Sequence, residues 1–478
     1  MTRLGVTFGG GGYRAAAFSL GVVHYLNDIG RLDDVVAISS VSGGSITNGF
    51  LATRLADEQC TTPGERRRQF AMLASALANQ STISFGALAG ISLAIVLNLG
   101  TQIVLFSGLR SGILSRLGLA LPLVVAVVTG LLLVSLVEPL VKLGLQSLLQ
   151  DAGKDSGPEA RRYETASMAD LARSHYVPVF CATELATGTS FYISPLFVAG
   201  SSATVPDHGV LPEMVSGHAG ALPLRDAMLA SSAFPGLLPP QFMDSTELGL
   251  PDRKGSVLAT TCLADGGLRD NLGVSFFSQW ADGSLPDPVR SDLGPAPTEL
   301  IVVNSGVPQR RTPRGGWFRR LRTLPLCIDA IHQSNTRRIL DGIEVALRSD
   351  TSVCVVSIDD DPWKSLDQGD ERQAAQAALN AMRARKTDDP TQGHTWWNAL
   401  GDQDDPGVRT RLTSLGVKTA GRLMFHAYVS TMVQTAIKYD WMPPSRVPSL
   451  SDFEGLCARR TRRAWRQYGV PAWPSAQP

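Results

Sequence analysis

A serine and two runs of glycine near the start of the chain are the residues best suited to covalent chemistry. Ser42 is followed by Gly43 and Gly44, and it comes soon after the apolar, strand-like run 35–38. A strand, a sharp turn carrying a serine and then a helix expose a nucleophilic hydroxyl on a strained backbone. The earlier run Gly9–Gly12 supplies backbone N–H groups that can approach a developing oxyanion closely. Together the two segments predict a serine acyl hydrolase.

The serine needs a base, because a free hydroxyl is a weak nucleophile at neutral pH. Asp265 is the best candidate: it ends the apolar, strand-like run 257–264, and Gly266 and Gly267 leave room beside its carboxylate. A carboxylate in that place can orient the Ser42 hydroxyl and accept its proton. An ordinary Asp-Gly-Gly turn is the alternative interpretation of this stretch.

Other chemistries remain open at this point. In hydrolases with this kind of serine turn, a histidine base comes late in the chain, and His394 has such a position. No strand end is evident around it, so a histidine in a surface loop is the plainer interpretation. His24 is near the glycine run, but it falls within a helical pattern and is expected on an ordinary helix surface. A dinucleotide site at the glycine run is disfavoured, because no acidic ribose partner is evident.

The segments around these residues alternate between strand and helix. The segments 3–8 and 35–39 are predicted to be strands, and a helix is expected after each. This order indicates an α/β fold with a parallel sheet, whose carboxyl edge carries both the glycine run and the serine turn. Further patterns predict helices at 15–26, 43–55 and 224–232, a hairpin at 177–183 and 191–193, strands at 257–264, 300–304 and 352–358, and a long amphipathic helix at 412–439.

Composition narrows the function classes. With 478 residues and a net charge of +1, the chain exceeds one typical domain and has no overall attraction for nucleic acid. Its six cysteines lack CxxC spacing and neighbouring histidines, which predicts no metal site and buried free thiols at Cys181, Cys262 and Cys354. The apolar run at 4–8 is too short for a signal peptide, so the N-terminus is expected to stay where it is made.

Two uncharged segments interrupt the soluble pattern at 85–106 and 117–137. About 20 apolar residues span a hydrocarbon core, and soluble helices of this length normally carry a polar stripe. We therefore expect a transmembrane hairpin; a pair of buried soluble helices or a re-entrant loop is the alternative. Basic residues on both flanks predict a multi-pass membrane protein with a cytoplasmic catalytic domain.

Two segments are locally basic and aromatic, Arg310–Arg322 and Arg459–Arg466. Beside a membrane hairpin they are expected to contact anionic lipid headgroups, at about 1 kcal/mol per basic residue. Nucleic acid and a plain solvated surface are the alternatives. The chain then divides into a first hydrolase part at 1–80, the hairpin insertion at 81–145, a second hydrolase part at 146–445 and a basic C-terminal tail at 446–478.

At these motifs the sequence resembles the patatin-like phospholipases. Their glycine motif GGGxRG appears as Gly10-Gly11-Gly12-Tyr13-Arg14-Ala15, with alanine in place of the last glycine. Their GxSxG elbow appears as Ser40-Val41-Ser42-Gly43-Gly44, with serine in place of the first glycine. Their DGG motif with a later asparagine is matched by Asp265-Gly266-Gly267 and Asn271, and their SxAxP segment by 231–236.

The resemblance implies a three-layer α/β/α hydrolase fold with a mainly parallel sheet and a Ser42–Asp265 dyad that works without histidine, metal or cofactor. The other implied site residues are the oxyanion-hole glycines Gly10, Gly11 and Gly12 and the supporting residues Arg14, Gly44, Gly266, Gly267 and Asn271. The hypothesis is a membrane-anchored lipid acyl hydrolase of the phospholipase A or lysophospholipase type, acting on membrane phospholipid or another acyl lipid. Because Ser40 and Ala15 are small, a working elbow is expected; a catalytically silent scaffold or lipid-binding protein is the alternative.

Overall fold

The computed structural model of the protein describes residues 2–55, 60–81, 166–201, 214–235, 238–250, 260–306, 334–343, 351–367, 372–385 and 413–458. The predicted hairpin at 85–106 and 117–137, both basic segments (Arg310–Arg322 and Arg459–Arg466) and His394 lie outside these residues. Within them, no helix combines the length and apolar character needed to cross a membrane.

Ten strands and ten α-helices are present in the described residues. The strands are β1 (Leu4–Phe8), β2 (Val35–Ser40), β3 (Val177–Glu184), β4 (Thr189–Ile193), β5 (Val198–Ser201), β6 (Met214–Gly217), β7 (Gln241–Asp244), β8 (Thr260–Asp265), β9 (Glu299–Asn304) and β10 (Ser352–Ser357). The helices are α1 (Gly12–Asp28), α2 (Gly44–Leu55), α3 (Pro63–Asn79), α4 (Leu224–Ser232), α5 (Val274–Asp282), α6 (Asp287–Leu293), α7 (Pro362–Asp367), α8 (Gln373–Arg385), α9 (Val417–Tyr439) and α10 (Leu450–Cys457).

All ten strands join one sheet, with the order β10-β9-β1-β2-β3-β4-β5-β6. The strands from β10 to β3 are paired in parallel, which confirms the predicted parallel centre. The hairpin of β3 and β4 is antiparallel, as its short connection at 185–188 requires, and β5 and β6 continue in that manner.

Strand β8 leaves the parallel pattern, and its direction decides where the acid lies. It runs antiparallel to β3 and carries β7 on its other side. On β3, Phe180 pairs with both β2 and β4, and Ala182 pairs with both β4 and β8. Strands β2 and β8 therefore lie on the same side of β3 and point their carboxyl ends at each other. Apolar patterning predicts a strand but not its direction, because both directions show the same alternation of faces.

Helices cover both faces of the sheet and form the three layers implied by the resemblance. Along β9, Ile301 and Val303 point into a core formed with α1, α2, α3, α4, α9 and α10, whereas Leu300 and Val302 point into a second core with α5 and α6. The period of two along each strand supplies both faces with apolar side chains. An α/β fold with its reactive turns at one sheet edge is the result.

Helix α1 is buried over its whole length, Gly12–Asp28. Its main neighbour is α9, and the two helices touch at Gly21, where a Cβ atom would overlap the Met424 carbonyl and come within 2.8 Å of the Ala427 Cβ. Polar ties add to this contact: the Tyr428 hydroxyl donates to Asp28 at 3.0 Å, and Asp28 pairs with Arg67 of α3 at 2.9 Å. Close packing at Gly21 is therefore what joins the glycine-loop helix to the end of the domain.

Two expectations about these helices were wrong. His24 is fully buried in α1, with its ring edge-on to Phe70 and Phe453, because α3 and α10 cover the face that the sequence pattern left polar. Burial lowers the pKa of His24 to about 3. Helix α9 has no solvent-facing side between residues 420 and 436, where every residue is buried apart from Arg422 and Gln434. The expected amphipathic helix is therefore surrounded on all sides.

The C-terminal part of the domain extends beyond its predicted end at residue 445. Helix α10 begins with a capping box at Ser449, and it buries Phe453, Leu456 and Cys457 against α3 and α9. Residues 450–457 of the segment predicted as a tail at 446–478 are therefore helical and packed on the domain. Among the thiols, Cys181 and Cys354 are buried as predicted, and Cys262 is partly exposed.

Candidate active site

The turn after β2 holds Ser42 in a strained conformation. Its φ is 51°, in the left-handed region, which among the described residues other than glycine is shared only by Asp440. Hydrogen bonds from Gly44 N to Val41 O and from Ser45 N to Ser42 O, both 2.9 Å, close the turn and start α2. Such a turn lifts the serine side chain out of the strand toward the space above the sheet edge.

Glycines at 43 and 44 allow the serine turn to pack against the glycine loop. A Cβ atom at position 43 would overlap the Gly12 carbonyl, and one at position 44 would lie 2.7 Å from the Phe8 Cβ. The sequence analysis placed both glycines in the elbow, and the structure shows why side chains are excluded there: the two turns touch through their backbones.

The acid approaches the serine from the opposite direction. Ser40 at the end of β2 pairs with Phe180, and Asp265 at the end of β8 pairs with Ala182, two residues farther along β3. That separation is about 7 Å along a strand. A Cβ atom at Gly266 would overlap the Cys181 carbonyl and lie 3.3 Å from Val41 Cγ1, so the acid turn also packs closely on the serine turn.

One segment holds both turns in place. At the end of α4, the Ser231 carbonyl accepts from Ser42 N and the Ala233 carbonyl accepts from Asp265 N, each at 3.0 Å. The Ser232 hydroxyl donates to the Ser42 carbonyl, also at 3.0 Å. The SxAxP-like segment 231–236 was noted only as a motif, and its contacts show that it connects the serine to the acid.

The Asp265 carboxyl is almost completely buried, with 1% of its surface exposed. Its Oδ1 accepts from Gly267 N at 2.8 Å. No described group makes a hydrogen bond of standard geometry to its buried Oδ2, although the Ser42 hydroxyl is close enough to lower the carboxyl pKa. Burial is the larger influence, and it raises the pKa of Asp265 to about 6. A carboxyl group with such a pKa can accept and return a proton near neutral pH.

The glycine loop offers fewer free donors than the sequence predicted. Gly10 N donates to the Asn271 carbonyl at 2.9 Å, and Gly9 N donates to the Val303 carbonyl at 3.0 Å. The Gly10 N–H therefore has a partner and is not available to an oxyanion. Gly11 and Gly12 have positive φ values and stand at the N-terminus of α1, where N–H groups have no intrahelical acceptor. Within the described chain, neither N–H donates to a backbone carbonyl outside the helix.

Arg14 and Asn271 support this loop from two sides. The Arg14 guanidinium donates through Nε to the Ser305 carbonyl at 3.0 Å, and the Ser305 hydroxyl donates to the Gly10 carbonyl at 2.8 Å. On the other side, Asn271 accepts from Gly10 N, and its side chain fills the place where a Cβ of Gly10 would be. Ser305 follows β9 directly and had no sequence motif to reveal it.

Asp270 is a further residue that the sequence analysis missed. Its Oδ1 accepts from Leu272 N and Gly273 N, and its Oδ2 accepts from Ser275 N, at 2.6 to 3.0 Å. These bonds fix the loop between the acid turn and α5, and with it Asn271. An aspartate five residues after another aspartate is too common for its spacing to have revealed this role.

The described histidines are all placed away from Ser42. His24 and His426 are buried in the helical layer, His175 lies by the Leu32 carbonyl, and His218 is exposed near Gly249. His426 also contacts the Ile358 carbonyl through Nε2 at 2.8 Å, and burial lowers its pKa to about 3. Of the two groups considered as a base that lie in the described chain, Asp265 approaches the serine and His24 does not.

The fold and the site together have the features of a hydrolase. A strained serine turn, a buried acid and a glycine loop meet at one edge of a sheet that has helices on both faces. The family model of the patatin-like phospholipases matches residues 212–277. This match contains Asp265, Asn271 and the 231–236 segment, but neither Ser42 nor the glycine loop. It confirms the resemblance predicted from the motifs and supports a lipid ester hydrolase.

Solved structures give only distant similarity. VipD from Legionella pneumophila is 14% identical with a TM-score of 0.25, and the match covers 93% of this chain and 89% of that one. Human GIVD cytosolic phospholipase A2 is 13% identical with a TM-score of 0.37, covering 92% of this chain but 59% of the human one. The same human enzyme in complex with methyl gamma-linolenyl fluorophosphonate has a TM-score of 0.34 at 14% identity, over 96% and 60% of the two chains. A search of curated proteins finds no significant match. Scores at this level support no inference about substrate or mechanism.

Proposed function

We propose that the protein is a serine lipid acyl hydrolase of the phospholipase A or lysophospholipase type that uses a Ser42–Asp265 dyad. The observation that carries the proposal is the meeting of two turns: Ser42 with a φ of 51°, and the buried Asp265 carboxyl with a pKa near 6. The patatin-like match over 212–277, which contains the acid, supports an ester of a lipid as the substrate.

In the first half of the reaction, the Ser42 oxygen attacks the acyl carbonyl while its proton passes to the Asp265 carboxylate. The carbonyl oxygen becomes an oxyanion, and the Gly11 and Gly12 N–H groups donate to it. The ester bond then breaks, and the leaving alcohol takes the proton from Asp265. An acyl group on Ser42 and a free lysolipid or glycerol compound are the products of this half.

In the second half, water attacks the acyl-enzyme and Asp265 accepts the proton of the water. The fatty acid leaves and Ser42 regains its proton, so that the dyad returns to its starting state. A single carboxyl group with a raised pKa serves both directions of proton transfer, because it is neither fully charged nor fully neutral near pH 6.

We also infer that the enzyme is anchored to a membrane through the hairpin at 85–106 and 117–137, with its catalytic domain in the cytoplasm. The apolar character and length of both segments support this proposal. Arg310–Arg322 and Arg459–Arg466 are proposed to contact anionic headgroups. Carbonate extraction of membranes tests the anchor: wild type remains in the pellet, and a variant lacking residues 81–145 is released.

The test of the reaction compares full-length protein with its Ser42→Ala variant on vesicles of phosphatidylcholine and of lysophosphatidylcholine. Wild type releases free fatty acid, and Ser42→Ala is slower by about a thousandfold or more. Ser291→Ala, which changes an exposed serine of α6, is the matched control and retains activity. Equal release by wild type and Ser42→Ala would refute the dyad. Two further measurements separate the alternatives. A catalytically silent scaffold would not be labelled by a fluorophosphonate probe. An esterase with a histidine base would lose activity in the His394→Ala variant.

A further inference from the structure

The position before the serine turn is where this chain departs from the GxSxG pattern, and the structure gives that departure a set of contacts. Ser40 is completely buried at the end of β2. Its hydroxyl donates to the Val179 carbonyl of β3 at 3.1 Å. It accepts from Asn48 Nδ2 at 2.9 Å and lies 3.1 Å from the Ser45 hydroxyl. The side chain in place of glycine is therefore fully hydrogen-bonded in a buried site.

The partners of Ser40 extend the contacts to a second helix. Ser45 and Asn48 are both on α2, the helix that the serine turn starts. From Ser45 the chain of hydroxyls continues to Ser231 of α4, with 2.8 Å between the two oxygens. The Ser231 hydroxyl in turn donates to the Cys181 carbonyl at 2.8 Å. A strand, two helices and the neighbouring strand are thus joined by three serines.

The chain of hydroxyls ends on the nucleophile. Ser42 N donates to the Ser231 carbonyl at 3.0 Å, and the Ser231 hydroxyl oxygen lies 3.2 Å from the same N–H. Every hydroxyl proton has an acceptor: Ser40 donates to Val179, Ser45 donates to Ser40, and Ser231 has both the Cys181 carbonyl and the Ser45 oxygen within 2.8 Å. A buried polar network of this kind is stabilising only when it is satisfied throughout.

We propose that Ser40, Ser45 and Ser231 are positioning residues, whose connected hydroxyls hold the Ser42 turn in its strained conformation for attack. This inference rests on the proposed serine mechanism. Serine at position 40 then compensates for the missing glycine, because its hydroxyl makes the elbow part of a network instead of leaving space there. Removing one member leaves a buried donor or acceptor without its partner and lets the strained turn relax.

The test measures kcat and KM for fatty-acid release, together with the rate of fluorophosphonate labelling, in single and double variants. We expect Ser231→Ala and Ser40→Gly each to lower kcat and the labelling rate by about five- to tenfold, with KM changed less than about twofold. The double variant is expected to lose no more than about twentyfold, since both changes break one connected network. Ser231→Thr retains the hydroxyl and restores kcat to within about threefold of wild type.

Ser430→Ala is the matched control, because it removes a buried serine hydroxyl on α9 that lies beside His426 of the same helix, and kcat stays at the wild-type value. Wild-type kcat in both Ser231→Ala and Ser40→Gly would overturn the inference, and so would losses that multiply fully in the double variant. If Ser231→Ala does not fold, Ser40→Gly and Ser45→Ala decide the question alone. An active Ser42→Ala protein would refute the proposed function itself, which separates that failure from this one.

Discussion

The two turns that meet beside β3 are held in opposite ways. Around Ser42, the backbone N–H, the carbonyl and the neighbouring Ser40 side chain all take part in hydrogen bonds to other elements. Around Asp265, the carboxyl accepts one bond from Gly267 N, and its second oxygen is buried without a hydrogen bond of standard geometry from the described residues. The serine is fixed by many polar contacts, and the acid is surrounded by few.

The difference fits the roles proposed for Ser42 and Asp265. A nucleophile gains from a fixed geometry, because a small displacement removes the alignment needed for attack. A base gains from poor solvation, because each hydrogen bond to the carboxylate would lower its pKa and weaken it as a proton acceptor. Substitutions in the Ser42 turn and substitutions in the Asp265 turn should therefore differ in their effects on rate, stability and pH dependence.

The largest effect is expected from Asp265→Asn. The amide can still accept from Gly267 N, but it cannot take the Ser42 proton, so kcat should fall by about a thousandfold or more. Fatty-acid release from phosphatidylcholine vesicles measures the loss. Asp360→Asn is a matched control: this partly buried aspartate after β10 also has a raised pKa, about 7, and its loss should leave kcat near wild type. A fully active Asp265→Asn enzyme would contradict the proposed base.

On the serine side, Gly43→Ala should cost about a hundredfold in kcat. A Cβ atom there overlaps the Gly12 carbonyl, so either the serine turn or the glycine loop must move. Loss of alignment by about 1 Å is enough for an effect of this size. Gly64→Ala serves for comparison, because a Cβ at Gly64 in α3 meets no atom within 4 Å. Equal kcat values for the two variants would show that the turns need not touch.

Asp265→Asn should also stabilise the protein at neutral pH. The folded-state pKa of about 6 lies above the ordinary value of 3.8, so the native state favours the protonated acid. The contribution of the Asp265 carboxyl to the free energy of unfolding is fully present below about pH 3.8 and is lost as the pH rises through about 6. The uncharged asparagine avoids this loss and should raise the free energy of unfolding by about 1–3 kcal/mol at pH 7–8. Denaturant melts at pH 4 and pH 8 measure the difference, which should vanish at the lower pH.

The smallest expected effect is the pH dependence of the wild-type rate. Because the charged form of Asp265 is the proposed base, log kcat/KM should rise by about one per pH unit below pH 6 and level off above it. The profile should be unchanged in Asp360→Asn. That variant removes a second carboxyl group with a raised pKa, about 7, which is not the proposed base. A profile that stays flat from pH 4.5 to 7 would exclude a carboxylate base with this pKa.

Sequence patterns were sufficient for the parts of the fold that depend on local periodicity and order. Strands at 4–8 and 35–40 and the helix at 224–232 follow from apolar runs and their spacing, and the parallel centre follows from their alternation with helices. The direction of β8 could not be predicted from its own residues. It depends on how β8 pairs with the part of β3 that β2 leaves unpaired, and that part is defined only in the assembled sheet. The burial of His24 could not be predicted either, because it depends on packing against α10, which is more than 400 residues later in the sequence.

The site was predictable to the extent that its chemistry lies in motifs. Ser42 and Asp265 are marked by the glycines beside them, and the structure brings the two together. The hydrogen bond from Gly10 to Asn271 could not be foreseen, because it joins two loops 261 positions apart. Ser231 was marked by the SxAxP-like segment, but Ser45 shows no individual signal. Only the distance of 2.8 Å between their hydroxyl oxygens places both serines in one network with Ser40.

The burial of α1 beneath α9 has a consequence for biosynthesis. The glycine loop begins α1, yet the helix that covers α1 is encoded by residues 417–439, and the strand beside β1 by residues 299–304. A nascent chain emerging from the ribosome exposes the apolar surface of α1 until residues 417–439 have been made. The proposed active site therefore stays incomplete until that point, and a truncated product that ends before α9 carries Ser42 without the helix that covers α1.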